Sequence, residues 1–275
     1  MKTKLPGRVL LVIAHGSQSA EWNRAVVEFC SRLRDTRPWP AGIEKVQWCF
    51  LEHEPPDIPT TLNEHFRNDG RELAVLPLFL SAGRHVARDI PQEIGQFLPF
   101  AHRREGLAVY GDTARRVLLL DPPPLAGLIA GNLERRIRRM RLNMEGAGLM
   151  VVYYGSRNFM AEWEALAGEV QALLERRLPR TVTGYAYAGF GVDFSPVSLA
   201  ESLKAMRDKA RPLVVVPALV AVGVVQNKII PAAIRLAEME DQVIDPGDAM
   251  LPDPEMEKQI LAHVEDTLSP PSPLP

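Results

Sequence analysis

The sequence predicts an α/β protein made of two similar domains, each with a parallel β-sheet covered by helices. Three observations lead to this prediction. The run RVLLVIA at 8–14 is rich in Val, Leu and Ile and is soon followed by Gly16, as is typical of a buried parallel strand. Stretches with helical spacing separate such runs, which is typical of βαβ units. The two halves of the chain also resemble each other.

The predicted elements follow one another in a regular order. The strands are 8–14, 45–52, 72–80, 107–110, 148–154, 182–188 and 212–220. The helices are 20–35, 59–69, 86–97, 125–142, 160–177, 198–209 and 227–238. Most of the helices lie between two strands, as the crossover between neighbouring parallel strands requires.

The resemblance between the halves predicts a duplicated domain. LLVIAHGSQSAEWNRAVVEFCSRL aligns with LMVVYYGSRNFMAEWEALAGEVQALL, and LAVLPLFLSAGRHVARDIPQEI aligns with LVVVPALVAVGVVQNKIIPAAI. Three Gly and Pro positions recur at an offset of 140, namely Pro77, Gly83 and Pro91 against Pro217, Gly223 and Pro231. We place the boundary in RLNMEGAG, which gives an N-terminal domain of residues 1–144 and a C-terminal domain of residues 145–275 with a Pro-rich tail.

Composition narrows the class of protein. The formal net charge of −2 and the pI near 6.3 argue against nucleic-acid binding, which depends on neutralising phosphates. Cys30 and Cys49 lie on different predicted elements and form no disulfide framework, so we expect a cytoplasmic protein. The longest apolar run, 212–225, is shorter than the roughly 20 residues that span a bilayer. We therefore expect no membrane association and interpret the basic, then apolar, start as a first strand.

A histidine follows each of two predicted strands in the first half. His15 comes directly after the strand at 8–14, and His85 comes five residues after PLFL. Ligands of α/β sheets bind outside the carboxyl ends of the strands, so we expect the two imidazoles to converge. Two imidazoles with a carboxylate suit a borderline divalent ion such as Co²⁺, Ni²⁺, Fe²⁺ or Zn²⁺, and they leave coordination positions for a substrate.

The second half lacks both histidines. In the alignment His15 falls on Tyr154 and His85 falls on Val225, although the glycines, prolines and strands are kept. This joint absence indicates that the two histidines form one site, which only the first half carries. The alternative for either histidine alone is a structural residue that hydrogen-bonds beside a turn.

The loop after the second predicted strand supplies further candidates. FLEHEPP places Glu52, His53 and Glu54 at the same edge of the sheet, where a carboxylate would assist the metal site. The alternative is an exposed loop without a role. The remaining histidines lie in polar, helical or tail contexts and receive no role; they are His65, His102 and His263.

A basic helix precedes the predicted domain boundary. Five arginines surround it, namely Arg135, Arg136, Arg138, Arg139 and Arg141. The favoured interpretation is a solvated helix face. The alternative is recognition of substrate carboxylates, which guanidinium groups bind in a bidentate manner.

These motifs together resemble the CbiX-type sirohydrochlorin chelatases, the class II chelatases that need no ATP. LLVIAHGS, FLEHEPPDIPTTL and LPLFLSAGRHVARDIP carry the resemblance and cover most of residues 8–97. The second half resembles the degenerate copy of long, internally duplicated members. The resemblance implies two tandem flavodoxin-like (chelatase-like) three-layer domains, related by a pseudo-two-fold axis. It also implies insertion of Co²⁺ or Fe²⁺, or of Ni²⁺, into a metal-free tetrapyrrole such as sirohydrochlorin.

Site roles follow from the same resemblance. His15 and His85 match the metal-site histidines of the family, and Glu52 matches its FLE glutamate as a catalytic residue. The metal is then a substrate, and no organic cofactor is expected, in keeping with a sequence that has no GxxxxGK[ST] phosphate loop. We expect one chain to act as a two-lobed unit that holds the macrocycle, with the C-terminal half as a wall. The alternatives are a non-catalytic tetrapyrrole or metal carrier and an α/β enzyme that uses His15 as a general base.

Overall fold

The computed structural model describes residues 7–40, 42–80, 83–112, 114–178, 180–188 and 195–269. The strands are β1 (Arg8–Ala14), β2 (Ile43–Phe50), β3 (Glu72–Leu78), β4 (Phe100–Arg104), β5 (Leu107–Gly111), β6 (Arg116–Leu120), β7 (Gly148–Tyr153), β8 (Val182–Tyr187), β9 (Leu213–Ala218) and β10 (Val243–Ile244). The helices are α1 (Ala20–Asp35), α2 (Ile58–Asn68), α3 (Ile90–Phe97), α4 (Leu125–Arg139), α5 (Met160–Arg177), α6 (Pro196–Arg207), α7 (Ile230–Leu236) and α8 (Pro254–Leu268). Two π-helical turns, His85–Asp89 and Val225–Ile229, precede α3 and α7.

Local sequence signals account for where the first helices begin. The Ser19 side chain accepts a hydrogen bond from the Trp22 amide at the start of α1. Asp57 caps α2 by accepting from the Thr60 amide at 2.8 Å, and hydrogen bonding to Thr60 lowers the pKa of the Asp57 carboxyl. No helix among the described residues has the length and apolar character needed to cross a membrane.

The chain divides into two compact units. The first consists of Met1–Pro123 and Pro254–Pro275, and the second of Pro124–Asp253. This division differs from a boundary at 144/145, because α4 lies in the second unit and α8 lies in the first. The helix α8 precedes the proline-rich end of the chain, of which residues 270–275 lie outside the described residues.

Polar contacts explain why α4 belongs to the second unit. Asn132 and Arg136 of α4 are buried, and Asn132 donates to the Met250 carbonyl at 2.9 Å. Arg136 donates to the Pro217 carbonyl at 2.7 Å and pairs with Asp248. A buried guanidinium requires such partners, so α4 is bound to strand ends and loops of its own unit.

The helix α8 makes its contacts with the first unit. Arg32 donates to the Glu257 carboxylate at 2.5 Å, and an imidazole nitrogen of His263 lies 2.8 Å from the Asp121 carbonyl oxygen. The apolar face of α8 is also buried, through Met256, Ile260, Val264 and Leu268. This helix is not among those that the sequence predicts.

The first unit contains a six-stranded sheet in the order β2-β1-β3-β6-β5-β4. The pairs β1–β2, β1–β3 and β3–β6 are parallel, whereas β5 is antiparallel to both β4 and β6. The sequence predicts parallel sheets, and this end of the first sheet departs from that pattern. The reason is the short connections, since only two residues separate β4 from β5 and four separate β5 from β6, which is too few for a parallel crossover.

The second unit contains a four-stranded, fully parallel sheet in the order β10-β9-β7-β8. The predicted α/β class with two mainly parallel sheets is confirmed. In the first unit all of β1 is buried, as expected for a central strand with helices on both faces. One face carries Val9, Leu11 and Ile13, which belong to the same apolar cluster as residues of α2 and α3, namely Ile58, Leu62, Ile90 and Ile94.

Candidate metal centre

Three parallel strands end at the same level of the first sheet. Ala14, the last residue of β1, pairs with Phe50 of β2 on one side and with Leu78 of β3 on the other. The chain segments that follow these three residues therefore leave the sheet side by side. They carry His15, Glu52 and His85.

A glycine allows the first two segments to approach closely. Gly16 has φ +84°, and a Cβ built on it would lie 1.8 Å from the Glu52 carbonyl oxygen. The Glu52 amide also donates to the His15 carbonyl at 2.9 Å. Any other residue at position 16 would combine a strained backbone with a backbone clash, so Gly16 keeps Glu52 beside His15.

The structure brings His15, Glu52 and His85 together. One potential ligand atom from each side chain lies within 4.8 Å of the other two. The two imidazole ring centroids are 4.8 Å apart, and the ring planes are inclined by 78°. His15 and His85 are half-buried, whereas the Glu52 side chain is 48% exposed. A cluster with two half-buried imidazoles and one exposed carboxylate is suited to an ion that must be bound and then released.

Hydrogen bonds leave the same nitrogen of each ring for a metal. Nδ1 of His15 lies 2.7 Å from the Gly16 carbonyl oxygen, and Nδ1 of His85 lies 2.9 Å from a carboxylate oxygen of Asp89. Both partners are acceptors, so we assign the proton of each neutral ring to Nδ1. Nε2 of both histidines then carries the lone pair that binds a cation.

Asp89 is a site residue that the sequence interpretation missed. It lies four residues after His85 in the π-helical turn His85–Asp89. The signal that would have found it is this spacing, because residues four apart lie on one side of a helical turn. Phe79, which follows β3 directly, is a second omission. Its ring centroid lies 6.3 Å from that of His15 and 5.9 Å from that of His85.

The other two residues of the loop occupy different positions. His53 has φ +66°, its Nε2 lies 3.5 Å from a Glu52 carboxylate oxygen, and its ring centroid lies 6.2 Å from that of His15. It is therefore at the exposed rim of the cluster. Glu54 instead accepts a hydrogen bond from the buried Asn23 side chain at 2.8 Å. That contact ties the loop to α1 and directs the carboxylate away from a ligand role.

The remaining histidines and the two cysteines are separate from this cluster. A His65 ring nitrogen lies 2.8 Å from the Arg71 carbonyl oxygen, and His102 is exposed on β4. Cys30 and Cys49 are free and fully buried. Burial raises the pKa of the Cys49 thiol to about 12 and that of the Cys30 thiol further. Because metals bind the thiolate form, neither residue is a ligand candidate at neutral pH.

Three arginines of the basic helix form ion pairs within the second unit. Arg135 pairs with Asp253, Arg136 is fully buried against Asp248, and Arg138 pairs with Glu134. The interpretation of a wholly solvated face was wrong for Arg136, because its guanidinium also bonds a backbone carbonyl in the interior. These contacts favour a structural role for the helix over recognition of substrate carboxylates.

The second unit has no equivalent cluster among the residues that the structure describes. Tyr154 and Val225 take the places of His15 and His85; Tyr154 is exposed and Val225 is buried. Within the described ranges, the cluster of the first unit is the only group of three neighbouring His, Cys, Asp or Glu side chains that could hold a metal ion.

Comparison with known proteins supports the predicted resemblance. Residues 9–117 match the CbiX family model, and the resemblance to CbiX-type chelatases is thereby confirmed for that segment. Over 85 residues, 31% of this chain, the sequence is 31% identical to "Sirohydrochlorin cobaltochelatase" of Sulfolobus acidocaldarius. The matched segment spans 64% of that protein, somewhat less than two thirds of its length.

Two solved structures resemble almost the whole chain in fold. SirB from Bacillus subtilis with Fe³⁺ matches with a TM-score of 0.74 and 17% identity, and 96% of each chain is covered. The chelatase SirB from Bacillus subtilis subspecies spizizenii in complex with cobalt matches with a TM-score of 0.70 and 18% identity, and 95% of each chain is covered. At this level of identity the likeness concerns the fold.

Proposed function

We propose that this chain, whose residues 9–117 match the CbiX family, inserts a divalent metal ion into a metal-free tetrapyrrole such as sirohydrochlorin without ATP. The observation that carries the proposal is the convergence of His15, His85 and Glu52 within 4.8 Å, with the Nε2 atom of each ring left for a metal. The similar proteins suggest the substrate class, since one is named sirohydrochlorin cobaltochelatase and two are SirB structures with iron or cobalt.

In this proposal the metal is a substrate that the cluster binds and then releases. Co²⁺ and Fe²⁺ are the proposed ions, because two imidazoles and a carboxylate suit both, and Ni²⁺ has the same ligand preferences. Insertion forms four metal–nitrogen bonds and releases two pyrrole protons. His15 and His85 hold the ion while leaving coordination positions open, and the exposed Glu52 carboxylate accepts protons beside it.

The same proposal includes an origin by duplication. The strand orders β2-β1-β3-β6 and β8-β7-β9-β10 have the same form when each unit is considered alone. The π-helical turns His85–Asp89 and Val225–Ile229 recur at the offset of 140 that relates the two halves in sequence. The first unit then carries the metal site, and the second has kept the scaffold without the ligands.

A turnover assay tests the proposed function against that of a carrier. Sirohydrochlorin in roughly twentyfold excess over protein is mixed with Co²⁺ in buffer without ATP, and metallation is followed by the absorption spectrum. We expect all of the tetrapyrrole to be metallated, at a rate proportional to protein concentration. A sample without protein gives the spontaneous rate. Metallation no faster than in that sample, or binding of one tetrapyrrole per chain without metallation, would contradict the proposal.

A further inference from the structure

The carboxylate of Asp89 is held from two sides next to the metal site. One oxygen lies 2.9 Å from Nδ1 of His85, and the other accepts a hydrogen bond from Nε of Arg84 at 3.2 Å. The Asp89 side chain is 17% exposed, and that of His85 is 33% exposed. Because two side chains contact this largely buried carboxylate, it has one preferred orientation. Its hydrogen bond with Nδ1 then orients the imidazole of His85.

The second π-helical turn shows that this arrangement is not needed to form the turn. Val225–Ile229 has the same length as His85–Asp89, and in both turns the amide that follows donates to the carbonyl of the first residue. At the offset of 140, three apolar residues replace the polar three; Arg84, His85 and Asp89 correspond to Val224, Val225 and Ile229. The first turn thus has both the imidazole and the carboxylate, whereas the second turn has neither.

We propose that Asp89 is a positioning residue that fixes the Nδ1–H tautomer of His85 and aims its Nε2 at the metal. Only the benefit of this role to catalysis rests on the proposed function. The effect of Asp89 on the His85 ring and on metal affinity can be measured without a tetrapyrrole. A ligating histidine commonly donates its second N–H to a carboxylate, and loss of such a partner costs about 10- to 100-fold in metal affinity or activity. Asp89 itself does not touch the reacting atoms.

The test uses Asp89→Asn and Asp89→Ala, with Glu93→Gln as the matched control. Glu93 lies in the first turn of α3, so Glu93→Gln removes one negative charge close by in the chain. The imidazole ¹⁵N chemical shifts of each metal-free protein report the His85 tautomer, and calorimetric titration with Co²⁺ alone reports affinity. In both Asp89 variants we expect a mixture of His85 tautomers and an affinity lower by about 10- to 100-fold, while His15 and the control stay as in the parent protein.

Circular dichroism checks that the variants are folded, and the apolar turn at Val225–Ile229 leads us to expect that they are. A single Nδ1–H tautomer of His85 and an unchanged Co²⁺ affinity in both Asp89 variants would overturn the inference. The same loss of affinity in Glu93→Gln would also overturn it, because a general charge effect would then explain the result. If the parent protein inserts no metal but the Asp89 variants lose the tautomer and the affinity, the proposed function fails and the positioning role stands.

Discussion

Replacing either His15 or His85 by alanine is expected to lower kcat/KM for Co²⁺ insertion by at least about 100-fold. Each ring supplies one of the two imidazole ligands of the cluster, and because loss of a mere partner of a ligand already costs about 10- to 100-fold in metal affinity or activity, loss of a ligand itself is expected to cost at least as much. The fold is expected to persist, because both side chains are half-buried and neither belongs to the apolar cluster of the first unit. Initial rates at several sirohydrochlorin concentrations measure the effect.

The double variant and one control sharpen this prediction. If the two rings hold the same ion, His15→Ala with His85→Ala costs little more than either change alone, because residues that act as a unit are not additive. His102→Ala removes an exposed imidazole from β4 of the same unit and is expected to leave the rate unchanged. A folded His15→Ala or His85→Ala protein with a near-normal rate would remove that histidine from the site.

A chain that ends at Asp253 is expected to lose the folded first unit while keeping the second. The deletion removes α8, whose buried residues Met256, Ile260, Val264 and Leu268 are each at most 3% exposed. Burying a side chain of this kind contributes about 1.5–3 kcal/mol, so the loss is on the order of 6 kcal/mol or more. That is comparable with the whole free energy of unfolding of a typical domain.

Hydrogen exchange followed by mass spectrometry locates this effect within the chain. Peptides from β1 and β3 are expected to lose most of their protection, whereas peptides from β7 and β9 keep it, because α8 belongs to the first unit. A chain that ends at Ser269 keeps α8 and serves as the control. Equal protection of β1 in the two truncated chains would show that α8 does not support the first unit.

The central strands and the site histidines could be predicted because their signals are local. β1, β3, β7 and β9 are apolar runs close to their predicted positions, and buried parallel strands differ from other segments in just this property. The convergence of His15 and His85 required one further rule, that ligands gather at the carboxyl edge of a sheet. The register of β1 with its two neighbours accounts for their proximity.

Other features depend on tertiary contacts that no local pattern reports. β4 was missed because FAHRR is exposed along its whole length and lacks the apolar character of a central strand. Met256, Ile260 and Val264 of α8 follow one another at helical spacings of four. That spacing indicates a helix, but it does not indicate which unit the helix packs against. Likewise Arg136 resembles its exposed neighbours in sequence, and only its contacts with Asp248 and Pro217 explain its burial.

X-ray absorption at the cobalt edge tests the central claim most directly, that a divalent ion is bound by His15 and His85 before it is inserted. With one equivalent of Co²⁺, the parent protein is expected to show two imidazole ligands with metal–nitrogen distances of about 2.0–2.2 Å, together with oxygen ligands. His85→Ala is expected to show one imidazole, and the double variant with His15→Ala none. A parent spectrum without imidazole scattering, or one that both single variants leave unchanged, would contradict the account.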